Sequence, residues 1–76
     1  MADLKRPRQA MPGIVCDALR NHDLEQAYRD RPPYQRNDYL WWINDAKRDE
    51  TKERRLAKML EELRQGQGYM GMKWNS

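Results

Sequence analysis

Chemistry at a protein site needs nucleophiles, titratable groups or charges spaced so that they converge, and this 76-residue sequence has few of them. Cys16 and His22 are its single cysteine and single histidine. Two such residues fall short of the four ligands of a structural zinc site, so no metal and no cofactor is expected. As a nucleophile Cys16 would need His22 beside it and an electropositive pocket, whereas its apolar helical neighbours predict a buried small side chain. His22 reads as a helix-end or surface residue. The carboxylate pairs Asp49-Glu50 and Glu61-Glu62 would serve acid–base catalysis only if burial drove their pKa values apart, and helical periodicity places them in solvent. Gly66, Gly68 and Gly71 follow a helix instead of opening one, which excludes a glycine-rich phosphate cradle. The expectation is a protein that is not an enzyme.

Charge and aromatic residues leave a second set of candidates. Net charge is +3, gathered in two stretches. Residues 1–8 hold Lys5, Arg6 and Arg8 against Asp3, and residues 47–58 hold six bases against three acids. Within the latter, Arg48, Lys52 and Arg55 recur at i, i+4, i+7 and share one helix flank, with Lys47 and Arg54 close by. Such a flank, joined by the leader arginines, can neutralise phosphates in nucleic acid. Asp49, Glu50 and Glu53 are interleaved with it and cancel much of its field, so a solvated helix face is the simpler expectation. Long basic side chains there can also cover an apolar stripe with their aliphatic stems, and Arg55 would then pair with a carboxylate of a neighbouring helix. Trp41 and Trp74 complete the candidates for interaction. Trp41 either lies under the C-terminal segment, against Met70 or Trp74, or belongs to an exposed patch that meets a partner.

The elements that position these residues follow from periodicity. Ile14, Val15, Ala18 and Leu19 mark a first helix, begun at Pro12, and Leu24, Ala27 and Tyr28 mark a short second one that Arg31-Pro32-Pro33 ends. From Tyr34 to Lys47, stepping about 100° per residue puts Tyr39, Leu40, Trp42, Ile43 and Ala46 on one stripe and Trp41 roughly opposite Ile43. A fourth helix runs from Asp49 or Glu50 to Gln65, with Asp49 as N-cap, Leu56, Met59, Leu60 and Leu63 inward, and Glu50-Arg54 and Lys58-Glu62 as i, i+4 pairs. Gly66 stops it. Beyond lies an extended segment in which Met70, Met72 and Trp74 alternate onto one face, with no sheet predicted. The expected architecture is all-α, a four-helix bundle of two short and two longer helices. It comprises a flexible basic leader at 1–11, a helical domain at 12–66 and a packed tail at 67–76. The leader lacks an apolar stretch behind its charges and no run approaches the roughly 20 apolar residues of a membrane span, so a cytoplasmic protein is expected.

The blocks Arg31-Pro32-Pro33-Tyr34-Gln35-Arg36-Asn37-Asp38-Tyr39, Trp42-Ile43, Ala46-Lys47-Arg48 and Glu50-Thr51-Lys52-Glu53-Arg54-Arg55 resemble the bacterial family called YdeI/OmpD-associated, or bacteriocin-protection. Tyr69-Met70-Gly71-Met72-Lys73-Trp74 extends the resemblance, which covers roughly residues 12–75. Asp49 stands where that family often has proline, a departure that touches only how the fourth helix starts. The resemblance implies a small helical domain with a role in bacteriocin resistance or envelope stress, and it supplies no catalytic residues. The function expected is a non-enzymatic module that contacts an unidentified protein partner. The alternative is a weak nucleic-acid binder using Lys5, Arg6, Arg8, Arg48, Lys52 and Arg55.

Overall fold

A computed structural model describes residues 9–75, with side chains as far as Gly71. Its elements are α1 (Gly13–Asn21), α2 (Glu25–Arg29), α3 (Pro33–Asp45), α4 (Asp49–Gln65), β1 (Gln67–Tyr69) and β2 (Met72–Asn75). The fold is all-α, as expected: two short and two longer helices, with the C-terminal segment packed against α4. The leader arginines Arg6 and Arg8, and Lys5, lie outside the described residues.

Each helix begins and ends where backbone chemistry requires. Pro12 and Pro32 sit extended as N-caps of α1 and α3, and Pro33 takes the first helical position of α3, where its missing N–H has no intrahelical partner. The third helix stops at Asp45, two residues short of the expected Lys47, because Ala46 turns extended. Arg48, not Asp49, is the N-cap of α4, and its carbonyl receives the amides of Thr51 and Lys52. Asp49 and Glu50 therefore occupy the first turn, at the positive end of the helix dipole. Gly66 closes α4 in the left-handed region at φ 75°, its N–H donating to the Glu62 carbonyl.

The two apolar stripes meet as read. Tyr39 and Ile43 are buried in one cluster with Met59, Leu60 and Leu63, Trp42 and Leu56 are half-buried at its border, and Ala46 is buried as well. Val15, Leu19, Leu24, Leu40 and Tyr28 complete the core. Ile14 departs from its assigned stripe and stands 50% exposed. Cys16 is half-buried at the edge of α1, not buried, and borders an open cavity of about 180 Å³ with Met11 and Tyr28.

The tail does not run straight. Met70 and Gly71 both have positive φ, 53° and 87°, and fold the chain back so that β1 pairs antiparallel with β2. Two consecutive left-handed residues form the primed turn whose twist suits a tight hairpin. The alternation of Met70, Met72 and Trp74 on one extended face is thereby broken at its first member. The side chain of Trp74 lies outside the described ones.

Trp41 is neither fully buried nor fully exposed. It is half-buried on the face of α3 that also carries Asn37 and Asn44, at i, i+4, i+7. The Gln9 N–H donates to Asn37 Oδ1 at 2.7 Å, and Asn44 Nδ2 donates to the Ala10 carbonyl at 3.2 Å. Gln9 and Ala10 thus cross the face of α3 on which Trp41 stands, and the end of the leader is strapped to the bundle there.

Two glycines separate backbone from packing effects. Gly68 has φ +88°, and a Cβ there would come 3.0 Å from a Glu62 carboxylate oxygen, whereas a Cβ on Gly13 meets nothing within 4 Å. Gly68→Ala is expected to cost about 1–2 kcal/mol and lower the melting temperature by roughly 5–15 °C. Gly13→Ala is expected to leave it unchanged or raise it slightly, both read by thermal circular dichroism.

Candidate functional site

Two constellations of chemically able side chains stand out, one inside and one at the surface. The inner one begins with Glu62, whose place on the inward side of α4 leaves it 4% exposed. Periodicity had put the Glu61-Glu62 pair in solvent, and for Glu62 that is wrong. Its neighbours Met59 and Leu63, at i−3 and i+1, bracket it on the buried stripe. The carboxylate accepts from Tyr39 Oη at 2.5 Å and from the backbone N–H groups of Met70 and Gly71 at 2.9 Å each. It is therefore not the partner of Lys58, as the i, i+4 spacing suggested.

Arg31, 4% exposed, closes the other side of this cluster. Its Nη1 donates to Gly68 O at 2.6 Å and Gln35 Oε1 at 3.1 Å, and its Nη2 donates to Glu62 O at 3.0 Å. Gln35 Nε2 in turn donates to Tyr34 Oη at 3.1 Å. Tyr69 wedges edge-on between the rings of Tyr34 and Tyr39, at centroid distances of 6.0 and 5.7 Å, and its hydroxyl donates to Asp38. Burial, the hydrogen bond to Glu62 and the charge of Glu62 together hold the Tyr39 phenol far above its ordinary pKa. These groups join the loop before α3, the end of α4 and the hairpin, and the arrangement is a clamp.

The surface constellation is a groove of about 340 Å³ between the end of α3, one flank of α4 and the hairpin turn. Trp42, Thr51, Arg54, Arg55, Lys58, Met70 and Gly71 line it. Arg55 is already engaged: Nη1 donates to the Trp42 carbonyl at 2.6 Å, and its guanidinium lies 5.5 Å from the centroid of the Trp42 ring. That carbonyl is in the last turn of α3, so Arg55 caps a helix end from a neighbouring helix. The carboxylate partner expected for Arg55 is replaced by this carbonyl and ring. Arg54 and Lys58 are exposed, and neither forms a hydrogen bond or ion pair with the described residues.

Of the residues singled out from sequence, Arg54 and Arg55 come together in this groove. Lys47, Arg48 and Lys52 do not line it, and Arg48 instead lies 3.7 Å from Glu50. Trp41 does not line it either and lies on the face of α3 that carries Asn37 and Asn44. Sequence reasoning missed Thr51 and Lys58, assigned Trp42 wholly to the core and placed Met70 on a straight tail. The available signal was the like-charged Arg54-Lys58 pair at i, i+4, which costs a few tenths of a kcal/mol on a helix face.

Among the described residues no group of three or more His, Cys, Asp or Glu is placed to hold a metal ion, and no helix is long and apolar enough to cross a membrane. A family model described as bacteriocin-protection, YdeI or OmpD-associated matches residues 11–66. No curated protein matches the chain, and no solved structure does.

Replacing Arg31 by Met leaves the carbonyls of Gly68 and Glu62 and the amide oxygen of Gln35 without that donor. The Glu62 carbonyl keeps the Gly66 N–H, so at about 1–3 kcal/mol for each of the other two groups left unpaired the loss is expected to reach at least about 2 kcal/mol by urea denaturation. Alkaline pH acts on the two buried phenols. Burial pushes Tyr28 up to about 12, against a smaller downward pull from Arg36, and Tyr39 moves the same way. Unfolded tyrosines ionise near pH 10, so stability is level below about that pH and falls above it. The Tyr28 share, about 2–3 kcal/mol, disappears between about pH 10 and pH 12. Tyr28→Phe is expected to flatten the slope of unfolding free energy against pH in that window.

Proposed function

Since the chain belongs to the bacteriocin-protection, YdeI or OmpD-associated family, we propose that it acts in that setting as a non-enzymatic protein-interaction module of the cytoplasm. Its contact face is the groove between α3, α4 and the hairpin turn. The observation that carries this reading is the division of labour among the charged groups. Arg31, Glu62, Tyr39 and Arg55 are taken up in holding helix ends and the hairpin, whereas Arg54 and Lys58 have no partner among the described residues and stand beside Trp42 and Met70. Unpaired cations at the rim of a partly apolar depression are suited to meeting an outside partner.

A reaction centre would need a titratable group that substrate can reach with a perturbed proton affinity. The phenols whose proton affinity is raised, Tyr28 and Tyr39, are both buried in the core. Nucleic-acid binding by Lys5, Arg6, Arg8, Arg48, Lys52 and Arg55 has less support, because Arg55 is committed to Trp42 and Arg48 lies beside Glu50.

The test is affinity capture from a bacterial lysate treated with nuclease, using the full chain as bait. A partner held through the groove is expected to be lost with Arg54→Ala/Lys58→Ala and with Thr51→Trp, which fills the depression, and retained with Trp41→Ala. Equal recovery on all baits, or recovery that nuclease abolishes, would contradict the reading.

A further inference from the structure

We infer that the groove accepts an acidic peptide segment in which an apolar side chain stands next to a carboxylate, an inference that rests on the groove being the contact face. Its volume of about 340 Å³ is at the small end of the ~300–1,000 Å³ of ligand pockets and suits a pair of side chains better than a folded surface. The half-buried Trp42 and Met70 offer apolar contact, and Arg54 and Lys58 present one successive turn of α4 with two free cations. Thr51, a turn before Arg55, adds a hydroxyl that donates to a carboxylate.

Charge along α4 limits the length of the anion. Glu50, four residues before Arg54, and Glu61, three residues after Lys58, are exposed on the same helix face. A phosphate backbone continuing past the groove in either direction meets one of them. With two free cations, counterion release is also small, a slope near 2 in log affinity against log salt. One or two carboxylates fit between Glu50 and Glu61, whereas an extended polyanion is repelled at Glu61 and meets at the other end an Arg48 cation already shared with Glu50. The apolar neighbour then supplies what two screened ion pairs do not, because exposed pairs contribute only about 0–1 kcal/mol each.

The experiment is fluorescence anisotropy with the full chain and labelled peptides of about ten residues, each bearing one leucine between two glutamates in a Gly/Ser background. Controls replace the leucine by glycine, or the glutamates by glutamine, and a single-stranded oligonucleotide of similar length is run in parallel. Saturable binding of the acidic-leucine peptide is expected, weakened about tenfold or more, ~1.4 kcal/mol, by either peptide change and by Arg54→Glu/Lys58→Glu. Circular dichroism confirms that this variant, changed only at exposed positions, stays folded. Absence of saturable binding, indifference to the variant, or tighter binding of the oligonucleotide overturns the inference. If groove variants abolish capture of a cellular partner while the peptide fails, the acidic-peptide class falls and the contact face stands. If they abolish neither, both fall.

Discussion

A carboxylate withdrawn from water costs several kcal/mol unless its oxygens are met by donors, and Glu62 meets that requirement with three donors from two parts of the chain. The Tyr39 hydroxyl comes from α3, and the amides of Met70 and Gly71 come from the hairpin turn. The turn needs the carboxylate as much as the carboxylate needs the turn. Met70 has a left-handed φ of 53°, unfavourable for a side chain with a Cβ, and its N–H and that of Gly71 converge on Glu62 like the amides of an anion nest. Two local liabilities, a buried charge and a strained turn, offset one another, and the hairpin is fixed to α4 as a result.

Two guanidinium groups do the corresponding work at helix ends. A helix leaves its last four carbonyls without intrahelical donors. Arg55 on α4 meets one of these, the Trp42 carbonyl near the end of α3, and Arg31, just before α3, adds a second donor to the Glu62 carbonyl near the end of α4, which already accepts the Gly66 N–H. Each long helix is thus capped by an arginine from outside it, which ties the two into an antiparallel pair across the short Ala46–Arg48 linker. A chain this small buries little surface, so such cross-ties matter more than they would in a larger domain. They also decide which cations remain for other purposes. With Arg31 and Arg55 engaged, Arg54 and Lys58 remain beside Trp42.

The helices and their apolar stripes were legible because a 3.6-residue period is a property of the sequence itself: Tyr39, Leu40 and Ile43 meet Met59, Leu60 and Leu63 as their spacing requires. What escaped depends on contacts between distant residues. Glu62 lies on the inward stripe by position, but its charge argues for solvent, and only Tyr39 and the hairpin amides reverse that. The turn at Met70-Gly71 lacks the Asn-Gly or Asp-Gly pair that announces a hairpin, and the carboxylate that stabilises it is eight residues away. Trp41 stands off the core stripe, and the leader end at Gln9 and Ala10 bonds to Asn37 and Asn44 on the same face of α3, a contact no local pattern announces. The groove was half legible: Arg54 and Arg55 were marked by charge, whereas Lys58, Thr51 and Trp42 join them only when α3, α4 and the turn are brought together.

The surface left for a partner exists only while the hairpin is held, because Met70 and Gly71 form one wall of the groove. Native-state hydrogen exchange at the Met70 and Gly71 amides measures that hold directly, since each donates to Glu62. The account predicts that both exchange as slowly as core amides of α4 such as Met59 and Leu60, and that both are released in Glu62→Gln. Exchange of these two amides at the rate of an unstructured peptide, in a chain whose α4 amides stay protected, would contradict it.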